Sequence, residues 1–469
     1  LNTQQKKIGI VISDGVGFRN FILSDFLAAA QQSSSRVVIY SCLPSTVYEP
    51  YQLTCTIIEI EPFPENILTW FFRKTKEVAH LQKFARHNFG INDNLSANYN
   101  AAFTVKGFLT RFIFGITRFL HSEHWINRWN NLQQFTYGMY PMVKTYRKIF
   151  QNHPVDVLFF THQRPPFIAP LIYSARELNI PTAAFIFSWD NLASKGRMAG
   201  VFDHYLVWSD LMKEELLQFY ESVSPNQISV AGTPQFEPYV LPRYASSRES
   251  FVANLNLDPN RKTICFSCGD ISTSKNDELY IETIAKFILE GKLSEPVNFV
   301  VRTSPAESPE RFFSLQTRYL FIVWQFPKWE LSRNTHQELW SQRFPLAADV
   351  VDLRALLQFS DVSINMCSTM SLDFMVFDKP VINPVFGNAE NELYDDQRFL
   401  HYAHYKRVAE SGSVCIAKDA TELLVGINEA LLHPHKQADA RKKLLHIQIS
   451  KDLPETGKRL VAALHNLTA

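Results

Sequence analysis

Short apolar runs rich in β-branched and aromatic residues alternate with segments of helical period along this chain, and that rhythm admits few folds. In the first half the runs are "KIGIVIS", "RVVIY", "TIIEIE", "VDVLFF", "PTAAFIF", "HYLVW" and "ISVAG". Runs that are apolar throughout imply strands buried on both faces, and helices between them imply parallel connections. The rhythm restarts after an irregular stretch, "GTPQFEPYVLPRY", with "TICFSC", "VNFVV", "YLFIVW", "DVSINM" and "PVIN". A chain of 469 residues exceeds one ordinary core. The pattern therefore predicts an α/β protein of two doubly wound domains, residues 1–240 and 241–469. A cleft is expected between them, faced by the loops that follow the strands.

One interruption breaks the first rhythm, a helical insertion over about 66–150. From Trp70 to Phe150 it holds twelve Lys/Arg against three acids, Glu77, Asp93 and Glu123, among many aromatic residues. Stretches such as "VKGFLTRFIFGITRFLHSEHWINRW" set basic residues between apolar ones, as helices lying on an anionic membrane do. A helical cap with a solvated basic face is the other reading. The formal charge of +1 over the whole chain points to no nucleic-acid partner. No apolar run is long enough to span a bilayer, the amino terminus lacks an apolar signal core, and the six scattered cysteines read as reduced thiols. A cytoplasmic protein is expected, with or without peripheral contact at the inner face of the membrane.

Three stretches carry candidate chemistry. The first, "SDGVGFRNF", places Gly15 and Gly17 after the first strand, with a helix expected near Asn20; such a loop can present N–H groups to an anion or a sugar hydroxyl, or can simply be a tight turn. In the second, "SDVSINMCSTMSLDFMVFDKPVINPVF", Ser368 and Thr369 fall at a helix amino end suited to a diphosphate. Asp373, one turn on, suits a ribose or merely the positive end of the helix. The third, "FSWDNLASKGRM" from Phe187 to Met198, crowds polar and charged residues at a strand end, where they bind something or cap something. No D-x-D occurs, and Asp395 and Asp396 are adjacent and so do not face one another on a helix.

The segment "CSTMSLDFMVFDKPVI" resembles the donor site of glycosyltransferases of the GT-B fold, which has two Rossmann-like domains. More narrowly, "THQRPPFIAPL" with "FSWDNLASKGRM" resembles bacterial glycosyltransferases of surface-polysaccharide biosynthesis. The resemblance implies a nucleotide-sugar donor bound by the second domain and a glycan or lipid-linked acceptor bound by the first. On the donor side it points to Gly269 in the "CGD" loop, Arg302 in "VVRTSP", Ser368, Thr369 and Asp373. On the acceptor side it points to Gly15, Gly17, Arg164, Trp189, Asn191 and Lys195. Asp190 is the first candidate general base, and His162, whose imidazole titrates near neutral pH, is the second. The donor substrate is the only cofactor implied, and no metal is expected. Polyol-phosphate transferases and nucleotide-sugar 2-epimerases share parts of the pattern, and a non-catalytic glycan-binding protein of the same fold is the alternative of another class.

Overall fold

The computed structural model describes residues 5–388 and 396–467; Asp395 lies outside the described residues. The chain divides into two compact units. The first comprises Leu1–Glu237, Leu331–Phe344 and Gln448–Ala469, and the second Pro238–Glu330 and Pro345–Ile447. The division expected near residue 240 thus falls at Glu237, but two later segments return to the first unit. The C-terminal segment is held there by close backbone packing: a Cβ on Gly457 would lie 2.8 Å from the Asp25 carbonyl. The buried Glu237 carboxylate accepts from the backbone N–H groups of both Asp25 and Gly457.

The first unit is built on seven strands: β1 (Lys7–Ile12), β2 (Arg36–Ser41), β3 (Thr56–Glu59), β4 (Val157–Phe160), β5 (Thr182–Phe185), β6 (His204–Val207) and β7 (Ile228–Val230). All pair in parallel, in the order β3-β2-β1-β4-β5-β6-β7. The central strands are buried along nearly their whole length, as their uninterrupted apolar runs require. The order reverses between β1 and β4, so the loops after these two strands diverge and open a crevice at their carboxyl ends.

Between β3 and β4 lies the insertion, which forms α3 (Ile67–Phe84), α4 (Phe89–Ala97), α5 (Val105–Thr117), α6 (Glu123–Tyr137) and α7 (Pro141–Asn152); α1 (Gly15–Ile22) and α2 (Phe26–Gln32) precede it. Side-chain caps start three of them: Asn66, Asn88 and Thr104 accept from the N–H groups of Thr69, Ile91 and Gly107. Inside the insertion, α3 buries Lys76, whose ammonium donates to Asn130 Oδ1 and the Ala199 carbonyl. Burial pushes this amine down to about 7, against the pull of Glu77. Between about pH 7 and the ordinary lysine value of 10.5 the unfolded chain therefore holds a proton that the folded chain lacks, and stability rises with pH in that window. Lys76→Met removes this dependence: the stability of the variant minus that of the parent falls by roughly 1 kcal/mol per pH unit between pH 7 and 9 in urea denaturation. A difference that does not change with pH would contradict it.

The second unit carries β8 (Lys262–Ser267), β9 (Val297–Arg302), β10 (Val323–Gln325), β13 (Val362–Ile364), β14 (Val381–Pro384) and β15 (Cys415–Ala417); the short paired strands β11 (Trp329–Leu331) and β12 (Arg343–Pro345) bracket the 331–344 segment of the first unit. The parallel sheet of the second unit runs β10-β9-β8-β13-β14-β15 and reverses between β8 and β13. The apolar run at 319–324 contributes a strand only from Val323 onward, and the short β15 had no counterpart among the expected runs.

Candidate active site

Two residues past the end of β1 stands Asp14, and two past the end of β4 stands His162, at the reversal point of the first sheet. Asp14 caps α1: its Oδ1 accepts from the Gly17 N–H at 2.8 Å, and its Oδ2 from the Ser13 hydroxyl at 2.8 Å. His162 Nδ1 lies 2.9 Å from the same Oδ2. Burial opposes charge on Asp14, but His162, Gly17 and Ser13 together hold its carboxyl below the usual range, so it is a carboxylate that only accepts. Nδ1 of His162 therefore carries the proton. Burial holds the imidazole below its ordinary range, outweighing Asp14, so the ring is neutral at pH 7. Its other nitrogen, Nε2, is buried without a hydrogen-bond partner among the described residues. An imidazole oriented through Nδ1 with a free lone pair on Nε2 is equipped to accept a proton.

His162 is clamped in this orientation by the loop Phe187 to Met198. The Phe187 ring stacks on it at 3.8 Å with an interplanar angle of 12°. Gln163, also buried, ties the two loops together: its Oε1 accepts from the Phe187 N–H and its Nε2 donates to Asn191 Oδ1, both at 3.0 Å. The same loop anchors the insertion through Arg197, which ion-pairs with Glu123 of α6 and lies over the Tyr220 ring at 4.3 Å.

Beside the imidazole is a cavity of about 360 Å³. Its walls come from four stretches far apart in sequence: His162 and Arg164 from the loop after β4, Gly196 and Arg197 from the loop after β5, Arg73 and Asn98 from the insertion, and Glu338 and Trp340 from the segment that returns to the first unit. Arg73 is engaged by Glu65 and Glu77. Arg164 has no hydrogen bond or ion pair among the described residues. Burial raises the Glu338 carboxyl above its usual range. The Trp340 ring meets His162 edge-on at 6.1 Å. A cavity of this size, lined mostly by polar and charged side chains, can hold a polar small molecule.

Several candidates have other work. Gly15 and Gly17 lie within α1, which begins at Gly15 rather than near Asn20, and both are needed for packing. A Cβ on Gly15 would sit 1.7 Å from the Arg343 carbonyl oxygen, and one on Gly17 would sit 2.6 Å from Thr161 Oγ1. Trp189, expected to stack on a sugar, is buried. Asn191 is buried against Gln163 and donates to Asp190 Oδ1 at 3.1 Å. Asp190 itself faces Lys195 at 3.8 Å and is not among the residues lining the cavity, whereas His162 is. The loop thus spends most of its polarity on holding its neighbours.

In the second unit, the loops after β8 and β13 flank the reversal of that sheet, and Gly269, Ser368 and Thr369 lie on them. The Gly269 N–H donates to Asp277 at 2.9 Å, and a Cβ there would come within 2.6 Å of Ser274. Ser368 receives a hydrogen bond from the Met370 N–H at its hydroxyl, and Thr369 stands at the start of a helix, Met370–Met375, of only six residues. Asp373 is buried and accepts from the Tyr239 hydroxyl. Arg302, expected at a diphosphate, gives its guanidinium to Asp349, with both oxygens at 2.9 Å, and to Gln325. Both partners of that ion pair are buried, so Arg302 is a structural cation of the second unit.

Asp14, Glu338 and Trp340 were not among the residues singled out in the sequence. Asp14 had a legible signal, since it directly follows the first strand and precedes a glycine at a helix start, and the sheet reversal makes the ends of β1 and β4 meet. Glu338 and Trp340 had none, because only the folded chain shows that residues 331–344 belong to the first unit.

No protein-family profile matches the chain, and no curated protein matches it significantly. Solved structures do. The Staphylococcus aureus MnaA–UDP co-structure is similar with a TM-score of 0.55 at 10% identity, over 97% of this chain and 95% of that one. UDP-GlcNAc 2-epimerase from Neisseria meningitidis bound to UDP-GlcNAc is similar with a TM-score of 0.53 at 10% identity, over 99% and 100%. A glycosyltransferase from Rickettsia africae is similar with a TM-score of 0.52 at 12% identity, over 99% of both chains. The chain has the GT-B fold, with two Rossmann-like units as expected.

Proposed function

We propose that this protein is a glycosyltransferase that moves a sugar from a nucleoside-diphosphate donor to a hydroxyl of a glycan or lipid-linked acceptor, as in surface-polysaccharide synthesis, with His162 as general base. The observation that carries the reading is the buried Asp14–His162 pair, whose free Nε2 belongs to a ring lining the first-unit cavity. The acceptor hydroxyl gives its proton to Nε2 as its oxygen bonds to the anomeric carbon. The nucleoside diphosphate leaves with the electron pair of the broken bond, and Asp14 stabilises the imidazolium that forms. Arg164 and Glu338 orient the acceptor. The donor is assigned to the loops of the second unit that hold Gly269, Ser368 and Thr369, where the ends of β8 and β13 diverge. UDP-GlcNAc, named with a structural neighbour, is the first donor to test.

The test is a screen of nucleotide sugars by thermal shift, followed by transfer assays with the donor that binds. Because His162 must be neutral to act, kcat/KM falls on the acid side, with an apparent pKa below the ordinary imidazole value of 6.5. An acid limb at or above 6.5 would remove this buried His162 as base.

A second reading, a nucleotide-sugar 2-epimerase, is favoured by the UDP-GlcNAc 2-epimerase among the neighbours. It predicts that UDP-GlcNAc alone exchanges its C2 hydrogen with deuterium oxide, whereas a glycosyltransferase leaves C2 untouched. The transferase reading ranks first because the insertion supplies cavity walls, Arg73 and Asn98, that give an acceptor somewhere to bind.

A further inference from the structure

Helix α5 turns an aromatic face outward. Its inner face is a stripe of small and branched residues, Gly107, Thr110, Ile113 and Thr117, buried where the helix packs on α3. The hydroxyls of Thr110 and Thr117 donate to carbonyls one turn back, so both are paired within the helix. The opposite face is where an ordinary surface helix places its charges. This one places Val105, Phe108 and Phe112 there, with Phe103 before the helix and Phe119 after it, all between 58% and 92% exposed. From Val105 to Phe119 the apolar face runs about 20 Å at 1.5 Å per residue. Phe112 stacks on Phe71 of α3 at 6.3 Å, which joins the patch to a second helix.

Charge accompanies the rings. No Asp or Glu occurs between Asp93 and Glu123, whereas Lys106, Arg111 and Arg118 do. Lys106 lies over Trp70 at 5.7 Å and Arg111 over Phe108 at 4.4 Å, so aromatic and cationic groups occupy one surface. Such a surface suits a partner that is apolar within and anionic at its boundary, because the rings bury in the acyl layer while the cations reach the headgroups. A second copy of this chain fits worse, since a two-fold contact on this face brings like cations together. Among the described residues no helix is long and apolar enough to cross a membrane.

We infer that the outer face of α5 docks this protein on an anionic lipid surface, with Phe108 and Phe112 entering the interface and Lys106 and Arg118 meeting the headgroups. The inference does not depend on the catalytic reading. It is tested by flotation of the full chain with vesicles of phosphatidylcholine alone and with vesicles of equal parts phosphatidylcholine and phosphatidylglycerol. The protein floats with the anionic vesicles, less with the neutral ones, and is partly released when salt rises from about 0.05 to 0.5 M. Phe108→Ser with Phe112→Ser lowers the bound fraction by about tenfold or more at unchanged circular dichroism. Lys106→Glu with Arg118→Glu lowers binding to the anionic vesicles. Failure of the parent to float with anionic vesicles overturns the inference, as does unchanged flotation of the double Phe variant. A parent that is dimeric by light scattering and ignores vesicles, with a monomeric Phe variant, would assign the face to a second copy instead.

Discussion

His162→Gln lowers the rate of sugar transfer by a factor of about 100 to 10,000, the usual cost of losing a positioned general base. Donor binding by thermal shift stays within a few degrees of the parent, because the donor is assigned to the second unit. Asp14→Asn acts through the same imidazole but leaves a distinct trace. The carboxylate raises the His162 pKa against the effect of burial, so its removal shifts the acid limb of kcat/KM to lower pH as well as reducing the rate. A purely structural Asp14 would change stability without moving that limb. Asp190→Asn, by contrast, keeps transfer within about tenfold of the parent, since Asp190 faces Lys195 and is outside the cavity lining. Transfer that collapses in Asp190→Asn and survives in His162→Gln would reverse the two assignments.

Asp349→Ala is expected to cost the second unit about 3 to 5 kcal/mol in urea denaturation. The Asp349 carboxylate takes both oxygens of a bidentate contact with Arg302 and also accepts from the Lys328 N–H at 2.8 Å and the Trp329 indole at 2.9 Å. Truncation leaves the Arg302 guanidinium buried with Gln325 as its one side-chain partner among the described residues. Removing both charges relieves that penalty, so Asp349→Leu combined with Arg302→Met recovers a large part of the loss. Equal destabilisation of the single and double variants would show that the cost lies in packing. Either result bears on the donor site, because an Arg302 committed to Asp349 is not available to a diphosphate.

Much of the architecture was legible because parallel strands buried on both faces have an unambiguous signature. "KIGIVIS", "VDVLFF" and "TICFSC" can be little else, and β1, β4 and β8 are where they should be. Shorter strands such as β15, three residues long, fall below the length at which an apolar run separates from the end of a loop. Membership of the units was not legible in full. Nothing local in residues 331–344 or 448–469 says that they return across the chain to the first unit.

The candidate site was legible by position, whereas the partners of its side chains were not. The loops after β4 and β5 were recognised as important, and His162 and Arg164 line the cavity. Asp190 drew the role of base because a carboxylate at a strand end is conspicuous, whereas the partner that tunes His162 stands 148 residues away at Asp14. The same holds for Trp189, which is buried, and for Arg302, which pairs with Asp349. A residue type suggests what a side chain can contact, but burial and partners decide what it does contact, and those depend on segments remote in sequence.

The proposed chemistry requires His162 to be a neutral imidazole protonated on Nδ1, with the Nε2 lone pair free to accept a proton. Long-range nitrogen–proton NMR of protein labelled at histidine nitrogens reads that state directly, and the resonance is assigned by its loss in His162→Gln. The Nδ1–H tautomer is expected at pH 7, with protonation of Nε2 only below the ordinary histidine range. An Nε2–H tautomer, or an imidazolium at pH 7, would contradict it.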